Sequence, residues 1–265
     1  MGTGTSQGVP VIGCHCGVCR STDERDRRLR TSALVTIRNE ELGMRNEEFN
    51  VQHSTFNILI DIGPDFRQQM LRHGVEHLDA ILVTHSHRDH VGGLDDIRAF
   101  NYIQHKRMEM YMNGVTAAAL RRDYGYVFEP HRYPGLPEAE LHVVDGEDVF
   151  EVNGVDVMPV RAMHKDLPIL GYRIGALAYI TDANFIDPEE LKRLRGVDTL
   201  VINALRREKH FSHFCLSEAL EVVEGVGPRR AFLTHMSHEM GRQEDLEREL
   251  PEGVFAAYDD LTVEI

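Results

Sequence analysis

Three histidines and one aspartate, His85, His87, Asp89 and His90, lie within six consecutive positions directly after the apolar run 80–83. Burying these side chains together without partners would cost roughly several kcal/mol. Imidazole nitrogens and carboxylate oxygens are the ligands of hydrolytic zinc, manganese and iron sites. In an extended loop His85 and His87 point the same way, while Asp89 and His90 face a second position at the start of the following helix. The spacing predicts a divalent metal site, and the alternative is a solvated polar loop.

Three further metal-ligand residue types follow apolar runs elsewhere in the chain. His164, Asp182 and His235 come directly after the runs 157–163, 178–181 and 231–234. Strand ends on one edge of a sheet are where a rigid scaffold presents functional groups. Taken singly, His164 or His235 is more often an ordinary loop histidine. Together with the cluster at 85–90, these residues predict a metallohydrolase.

Three of the four cysteines, Cys14, Cys16 and Cys19, lie within six residues. This is the spacing of metal ligands and not of a disulfide framework. One tight loop would supply three thiolates, and one imidazole would complete a tetrahedral zinc site. The alternative is a set of free thiols. Cys215 stands apart, and we expect it to be a core residue.

The bulk composition limits the classes of partner. The 265 residues are 42% hydrophobic and carry a formal net charge of −14. One domain over residues 1–265 is expected from the length, with no membrane span and, because no secretory signal is visible, a cytoplasmic location. The acidic charge argues against wide binding to long nucleic acid. A small phosphorylated substrate is compatible with it, because bound dications would make the site itself positive.

Apolar periodicity predicts an α+β protein, in which two mixed sheets pack face to face with helices outside. Helices are expected at 65–73, 94–104, between Asp187 and Gly196, at 217–224 and at 243–250. Asn153-Gly154 is a strong signal for a tight hairpin turn. A polar excursion of unknown role covers 38–50, and the aromatic stretch 124–135 would either cover the site or pack on the surface. Strands are expected at 33–37, 56–60, 80–84, 109–112, 141–144, 149–152, 155–160, 169–174, 178–181, 199–203, 231–234, 254–257 and 261–265.

The motif His85-x-His87-x-Asp89-His90, followed by a Gly-Gly pair and by His164, Asp182 and His235, resembles the signature of the metallo-β-lactamase superfamily. The resemblance implies a four-layer αββα sandwich with a dinuclear site at one edge of the sheets. It assigns His85, His87 and His164 to one metal, assigns Asp89, His90 and His235 to the other, and makes Asp182 the bridge. Such a ligand set suits two Zn²⁺ or Mn²⁺ ions.

The segment 2–10 and the cysteine loop are similar to the cyclic phosphodiesterases of phosphonate breakdown, a subgroup of that superfamily. This resemblance implies that His238 completes a structural zinc site with Cys14, Cys16 and Cys19, and His15 competes weakly for that place. The segment 212–217 resembles the part of the subgroup that bears a catalytic histidine. His213 is therefore expected to donate a proton to the leaving group, with His210 as the spare candidate.

Two carboxylates complete the expected site. Asp89 is expected to serve catalysis as well as metal binding. The segment 61–65 resembles a short motif of the same superfamily, in which the aspartate orients a ligand histidine and so supports the metal-binding loop. Asp61 would be that aspartate, and the alternative is an ordinary cap at the end of a strand.

These features predict a metal-dependent phosphodiesterase that attacks a small cyclic phosphate or nucleotide phosphodiester with a metal-bridging hydroxide. An RNA 3′-end endonuclease or a thioester hydrolase of the same fold is the alternative enzyme. A zinc-stabilised binding protein with a decayed site is the alternative of another class. A homodimer is a possible assembly.

Overall fold

The computed structural model describes residues 1–38, 55–129, 133 and 135–265. Within these residues the strands form two sheets, one of five strands and one of eight. Both sheets contain parallel and antiparallel pairs. The prediction of two mixed sheets in an α+β fold is confirmed.

The first sheet follows the chain order β1-β2-β3-β4-β5. The second strand of this sheet is extended because its side chains alternate between two apolar cores. Phe56, Ile58 and Ile60 face the second sheet, whereas Leu59 faces the helices. The strands are β1 (Ala33–Arg38), β2 (Thr55–Ile60), β3 (Ala80–Leu82), β4 (Met108–Met112) and β5 (Ala139–Val143).

The second sheet has the order β10-β7-β8-β9-β11-β12-β13, and β6 also pairs with β7. Asn153 and Gly154 form the predicted hairpin turn between β6 and β7, with φ of 49° and 85°, as a two-residue type I′ turn requires. The strands are β6 (Phe150–Val152), β7 (Val155–His164), β8 (Leu167–Ile174), β9 (Leu177–Ile180), β10 (Phe185–Ile186), β11 (Thr199–Asn203), β12 (Arg230–Thr234) and β13 (Val254–Ala256).

Local capping defines several helix ends. Asp187 accepts a hydrogen bond from the backbone N–H of Glu189 before α6, and Gly74 ends α1 in the left-handed region. The helices are α1 (Phe66–His73), α2 (Arg88–Val91), α3 (Arg98–Gln104), α4 (Gly114–Asp123), α5 (Gly125–Phe128), α6 (Pro188–Arg193), α7 (Leu216–Val226) and α8 (Gln243–Glu249). In the part of the chain that the structure describes, no helix is both long and apolar enough to cross a membrane.

The four layers of the predicted αββα sandwich are separated by three apolar cores. The inner faces of both sheets share one core, in which Ile58 and Leu82 lie with Leu170 and Tyr172. A second core lies between the first sheet and α1 to α5, and a third lies between the second sheet and α6 to α8. Burial on both faces explains why the central strands are continuous apolar runs.

One predicted strand was wrong. The segment Leu261–Ile265 alternates apolar and polar residues, but it forms no strand and its side chains are half-buried or exposed. It does not continue the sheet beyond β13, and the backbone carbonyl of Glu264 instead accepts a hydrogen bond from the Arg230 guanidinium over 2.7 Å. The polar excursion lies outside the described residues from position 39 onward, as do residues 130–132 and 134 of the aromatic stretch.

Candidate metal centre

Strand ends from both sheets meet at one edge of the sandwich. The loop after β3 carries His85 and His87, and the short helix α2 carries Asp89 and His90. In the second sheet β7 ends at His164, while Asp182 and His235 follow β9 and β12. The tertiary structure thus brings together residues that are up to 150 positions apart in the chain.

These seven side chains form two groups, in each of which the ligand atoms lie within 4.8 Å of one another. One group holds three histidines and the other holds two histidines and two aspartates. The groups are His85, His87 and His164, and Asp89, His90, His235 and Asp182. Apart from Asp182, which the family resemblance places between the groups, this division is the one that the resemblance implies, and the role of each residue as a ligand stays a prediction.

The Asp182 carboxylate faces both groups. Its Oδ2 lies 3.7 Å from Nε2 of His85, and its Oδ1 lies 3.1 Å from Nε2 of His235. The side chain is 2% exposed. A carboxylate with one oxygen toward each group is placed as a bridging ligand would be.

Three residues around this edge adopt the left-handed backbone conformation that favours glycine. Asp61, Asp182 and His235 have φ of 62°, 60° and 56°. A non-glycine residue in this region costs of order 1–3 kcal/mol and persists where the surrounding structure enforces it. Asp61 and His235 directly follow strands and Asp182 follows β9 after one residue, so the strain lies where side chains leave the sheets toward the two groups.

Several buried ring nitrogens have no aligned hydrogen-bond partner among the described residues. They are Nε2 of His85, Nε2 of His90 and both ring nitrogens of His235. The Nδ1 atoms of His85 and His90 lie within hydrogen-bond distance of Thr84 Oγ1 and Asp61 Oδ2, so these rings present Nε2 to the centre of the site. A buried polar atom without a partner is costly. Converging unpartnered imidazole nitrogens beside carboxylates therefore fit divalent cations.

The electrostatics of the centre favour anionic carboxylates. Burial alone would raise the pKa of Asp182, but the charges of His235 and His90 and a hydrogen bond from His213 lower it well below its usual range. Burial lowers the pKa of His85 well below its usual value, and the nearby charge of His90 adds to this. Deprotonated carboxylates and neutral imidazoles are the forms that bind metals.

Asp61 lies behind the metal groups, as expected for a residue that braces them. Its Oδ2 accepts a hydrogen bond from Nδ1 of His90 over 2.7 Å. The backbone N–H and the hydroxyl of Thr84 donate to the same carboxylate at 2.8–3.1 Å. One buried carboxylate therefore contacts both ends of the segment that supplies the first four metal-ligand residues.

His213 reaches the edge of the centre from the loop before α7. Its Nε2 lies 3.2 Å from Oδ2 of Asp182, and its side chain is 12% exposed. His164, Asp182 and His213 also form a compact triad of possible ligands. His164 and Asp182 each belong to one of the two groups already described, so His213 is the member of this triad that lies outside both.

Two buried residues that hold the site were not found from the sequence. Asn203 accepts from the backbone N–H of Ala183 and donates to its carbonyl, at 2.8 and 2.9 Å, directly after Asp182. The carbonyl of Ser212 accepts from Nδ1 of His164 over 2.7 Å. Asn203 ends an apolar strand just as the metal-ligand residues follow theirs, so the same signal could have revealed it.

The cysteine loop meets the segment after β12. The ligand atoms of Cys14, Cys16, Cys19 and His238 lie within 4.8 Å of one another. Nδ1 of His238 is 3.5 Å from Sγ of Cys14 and 3.3 Å from Sγ of Cys16. Hydrogen bonds from the Cys19 backbone and from His238 lower the pKa of Cys16 to about 6. The donor set and its compactness fit a tetrahedral zinc.

Comparisons with known proteins agree with the fold described above. The model of the β-lactamase superfamily domain matches residues 56–236, a range that contains all seven residues of the two metal groups. A crystal structure of a new diphosphatase from the PhnP family has a TM-score of 0.85 and 37% sequence identity, and the match covers 98% of this chain and 93% of that chain.

Two curated relatives have different names. An octanoyltransferase from Porphyromonas gingivalis is 40% identical over 262 residues, which are 98% of this chain and 50% of that protein. The chain thus spans about half the length of this relative. A ribonuclease Z from Mycobacterium sp. (strain KMS) is 27% identical over 209 residues, which are 67% of this chain and 73% of that protein.

The family model covers well over half of the chain, and the metal-ligand residue types meet at one edge of a four-layer sandwich. Both observations agree with the resemblance noted in the sequence. The chain belongs to the β-lactamase superfamily and has the metallo-β-lactamase fold.

Proposed function

We propose that this chain is a metal-dependent hydrolase, namely a phosphodiesterase for small phosphate esters, which include cyclic phosphates and nucleotide phosphodiesters. The observation that carries the proposal is the approach of His213 to Asp182, with 3.2 Å between Nε2 and Oδ2. This contact puts an imidazole beside two groups of metal-ligand residue types, which supports a role for His213 as proton donor. The diphosphatase of the PhnP family and the ribonuclease Z support the same class, since both names denote phosphate chemistry.

Two catalytic cations, Zn²⁺ or Mn²⁺, would be held by the two groups of metal-ligand residues. When bound, such ions supply hydroxide at neutral pH and neutralise charge on phosphoryl oxygens. His85, His87 and His164 would hold one ion. Asp89, His90 and His235 would hold the other, with Asp182 between them. We also propose a separate structural zinc on Cys14, Cys16, Cys19 and His238.

The residues of the chain perform the remaining tasks. His213 donates a proton from Nε2 to the leaving oxygen, which would otherwise depart as an unstable alkoxide. Asp61 and Thr84 hold the 85–90 segment and so keep its imidazoles in place. His87 is the exposed member of its group, and this opening gives a substrate access to the site.

A small substrate suits the charge of the chain better than a folded RNA. The formal net charge is −14, and affinity for long nucleic acid comes mainly from neutralised phosphates. A short phosphodiester needs a positive site only at its reacting phosphate, which the bound cations would supply.

Octanoyl transfer is not carried over to this chain from its relative. The match covers half of that protein, so the named activity can belong to the other half. The relationship does favour one alternative for testing, which is hydrolysis of an acyl thioester by the same metal site. An octanoyl thioester is therefore the second substrate to assay.

The test measures the metal content of the purified chain together with turnover of bis(p-nitrophenyl) phosphate. The wild type should hold about three metals, two in the catalytic centre and one in the cysteine site. Asp182→Ala should abolish turnover and lose catalytic metal, and one tightly held zinc should remain. Asp156→Ala, an exposed aspartate on the strand that ends at His164, is the matched control and should behave like the wild type.

Two results would contradict the proposal. Turnover that is indifferent to Asp182→Ala would mean that the two groups do not form the reactive centre. Rapid hydrolysis of the octanoyl thioester with none of the phosphodiester would replace phosphodiesterase activity with thioester hydrolysis.

A further inference from the structure

Three polar atoms form a cluster at one side of the His213 ring. They are Nδ1 of His213 itself, Oγ of Ser212 and Nδ1 of His210. Oγ of Ser212 lies 3.0 Å from Nδ1 of His213 and 3.2 Å from Nδ1 of His210. The two Nδ1 atoms are themselves 3.2 Å apart. Ser212 is buried at 6% exposure, whereas His210 and His213 are half-buried.

The hydrogen bonds of this cluster limit where protons can be. The backbone N–H of Ser212 points at Nδ1 of His210 over 3.4 Å, which makes this nitrogen an acceptor and leaves the proton of a neutral His210 ring on Nε2. A protonated Nδ1 of His213 can then donate to Oγ of Ser212. The hydroxyl of Ser212 in turn donates to Nδ1 of His210.

We propose that Ser212 and His210 are positioning residues that hold the imidazole of His213 with its Nε2–H toward Asp182 and the substrate. The inference rests on the proposed role of His213 as proton donor. When Oγ of Ser212 accepts the Nδ1–H of a doubly protonated His213 ring, the other ring proton is on Nε2. This second proton lies at the 3.2 Å contact with Oδ2 of Asp182. A hydrogen bond that holds the proton on one ring nitrogen therefore determines whether the other nitrogen donates or accepts.

The proton step balances within this arrangement. A hydroxide derived from water forms a new P–O bond, the P–O bond to the leaving group breaks with its electron pair on the leaving oxygen, and that oxygen takes the proton from Nε2 of the doubly protonated ring. His213 is left neutral with its remaining proton on Nδ1, where the hydroxyl of Ser212 accepts it.

Ser212 also connects this cluster to the metal-ligand residues. Its backbone carbonyl accepts from Nδ1 of His164 over 2.7 Å, while its hydroxyl contacts His213. The carbonyl orients a residue of the first histidine group and the hydroxyl orients the proton donor. Substitution by alanine removes only the hydroxyl, so Ser212→Ala separates the two roles.

The kinetic test compares leaving groups in the metal-loaded enzyme. p-Nitrophenolate leaves without a proton, whereas the phenolate of diphenyl phosphate benefits from one. For diphenyl phosphate, His213→Ala should lower kcat by roughly 10²-fold, within the usual range for general acid catalysis. Ser212→Ala and His210→Ala should lower it by about tenfold with little change in KM. The loss of kcat for bis(p-nitrophenyl) phosphate should be clearly smaller than for diphenyl phosphate in each of the three variants, because its leaving group needs no proton.

Two further variants control for structural damage. His210→Asn places an amide oxygen near the position of Nδ1, so it should restore most of the lost kcat. Ser217→Ala, at an exposed serine in the same segment, should leave both substrates unaffected.

A second readout needs no activity. Long-range ¹H–¹⁵N spectra of the protein without added metal report which nitrogen of His213 carries the proton. Ser212→Ala and His210→Ala should each change the tautomer ratio, and His210→Asn should bring it back toward the wild type.

The outcomes separate the two proposals. If His213→Ala discriminates between the leaving groups but Ser212→Ala and His210→Ala do not, the positioning inference is overturned and the proposed function stands. If His213→Ala does not discriminate, His213 is not the proton donor and the inference falls with that role. An unchanged tautomer ratio in both positioning variants also overturns the inference.

Discussion

Oδ2 of Asp61 accepts a hydrogen bond from Nδ1 of His90 over 2.7 Å, and neither side chain is exposed to solvent. Burial lowers the pKa of His90, but the carboxylates of Asp182, Asp61 and Asp89 outweigh this effect and raise it well above its usual value. The contact also fixes Nε2 of His90 toward the metal groups. Asp61 therefore acts on the centre through His90.

We predict that Asp61→Asn weakens binding of the catalytic metals by roughly 10–100-fold, the usual loss when such a partner is removed. The amide keeps the shape of the carboxylate, but it loses the charge that faces His90. Equilibrium dialysis against Zn²⁺ measures the change, and the cysteine site should keep its zinc. Asp166→Asn, at an aspartate whose side chain is 90% exposed, is the control. Equal affinities in both variants would show that Asp61 is only a cap at the end of a strand.

A second prediction concerns Asn203, which clamps the turn after Asp182. Asn203→Ala leaves the backbone N–H of Ala183 without this acceptor, whereas the carbonyl of Ala183 still accepts from the N–H of Phe214 over 2.8 Å. One buried donor without a partner costs about 1–3 kcal/mol. Urea unfolding should show this loss, and kcat should fall because the turn also positions Asp182.

Asn101→Ala is the control for Asn203→Ala, because it should change stability without changing activity. Asn101 bonds the backbone of Lys106 and Glu138, in a region that holds none of the site residues. Its loss should lower stability but not kcat. Unaltered kcat in Asn203→Ala would mean that the turn does not control Asp182.

A third prediction uses the close approach of Gly63 to the metal segment. A Cβ atom at Gly63 would lie 2.2 Å from the carbonyl oxygen of Asp89, which is backbone and cannot move without displacing α2. Gly63→Ala should destabilise the fold by about 1–3 kcal/mol and weaken binding of the catalytic metals. Thermal unfolding with and without Zn²⁺ measures both effects.

Gly225 provides the matched substitution for this test. It lies in α7, and an added Cβ would meet nothing within 4 Å. Gly225→Ala should stabilise the protein by up to about 1 kcal/mol, because alanine is the better helix former. A Gly63→Ala variant as stable as Gly225→Ala would contradict the packing argument.

A fourth prediction concerns the cysteine cluster. Cys16→Ser replaces a thiolate that His238 contacts at 3.3 Å, and we expect it to remove one zinc per chain. The melting temperature should fall, because this site joins the N-terminal loop to the segment after β12. Cys215→Ser, at a buried cysteine outside the cluster, should keep the full metal content. Loss of zinc without loss of stability would mean that the site is not structural.

The sequence alone determined the residue types of the proposed metal centre. Three histidines and an aspartate in six positions have few structural uses other than metal binding, and polar residues after apolar runs marked where strands end. The αββα fold followed from the resemblance that these residues carry and is confirmed. The strand predicted at Leu261–Ile265 was wrong, because alternation describes a possible strand but does not decide whether the segment pairs with a sheet.

Only the tertiary structure decided which atoms meet. The left-handed backbone of Asp61, Asp182 and His235, the clamp of Asn203 and the two contacts of Ser212 all depend on packing between distant segments. No local pattern encodes the contacts of Asn203 with Ala183 and of Ser212 with His164, because these residues lie 20 and 48 positions apart and only the folded chain brings them together. The identities of the reactive groups are local, but their orientation is a property of the folded chain.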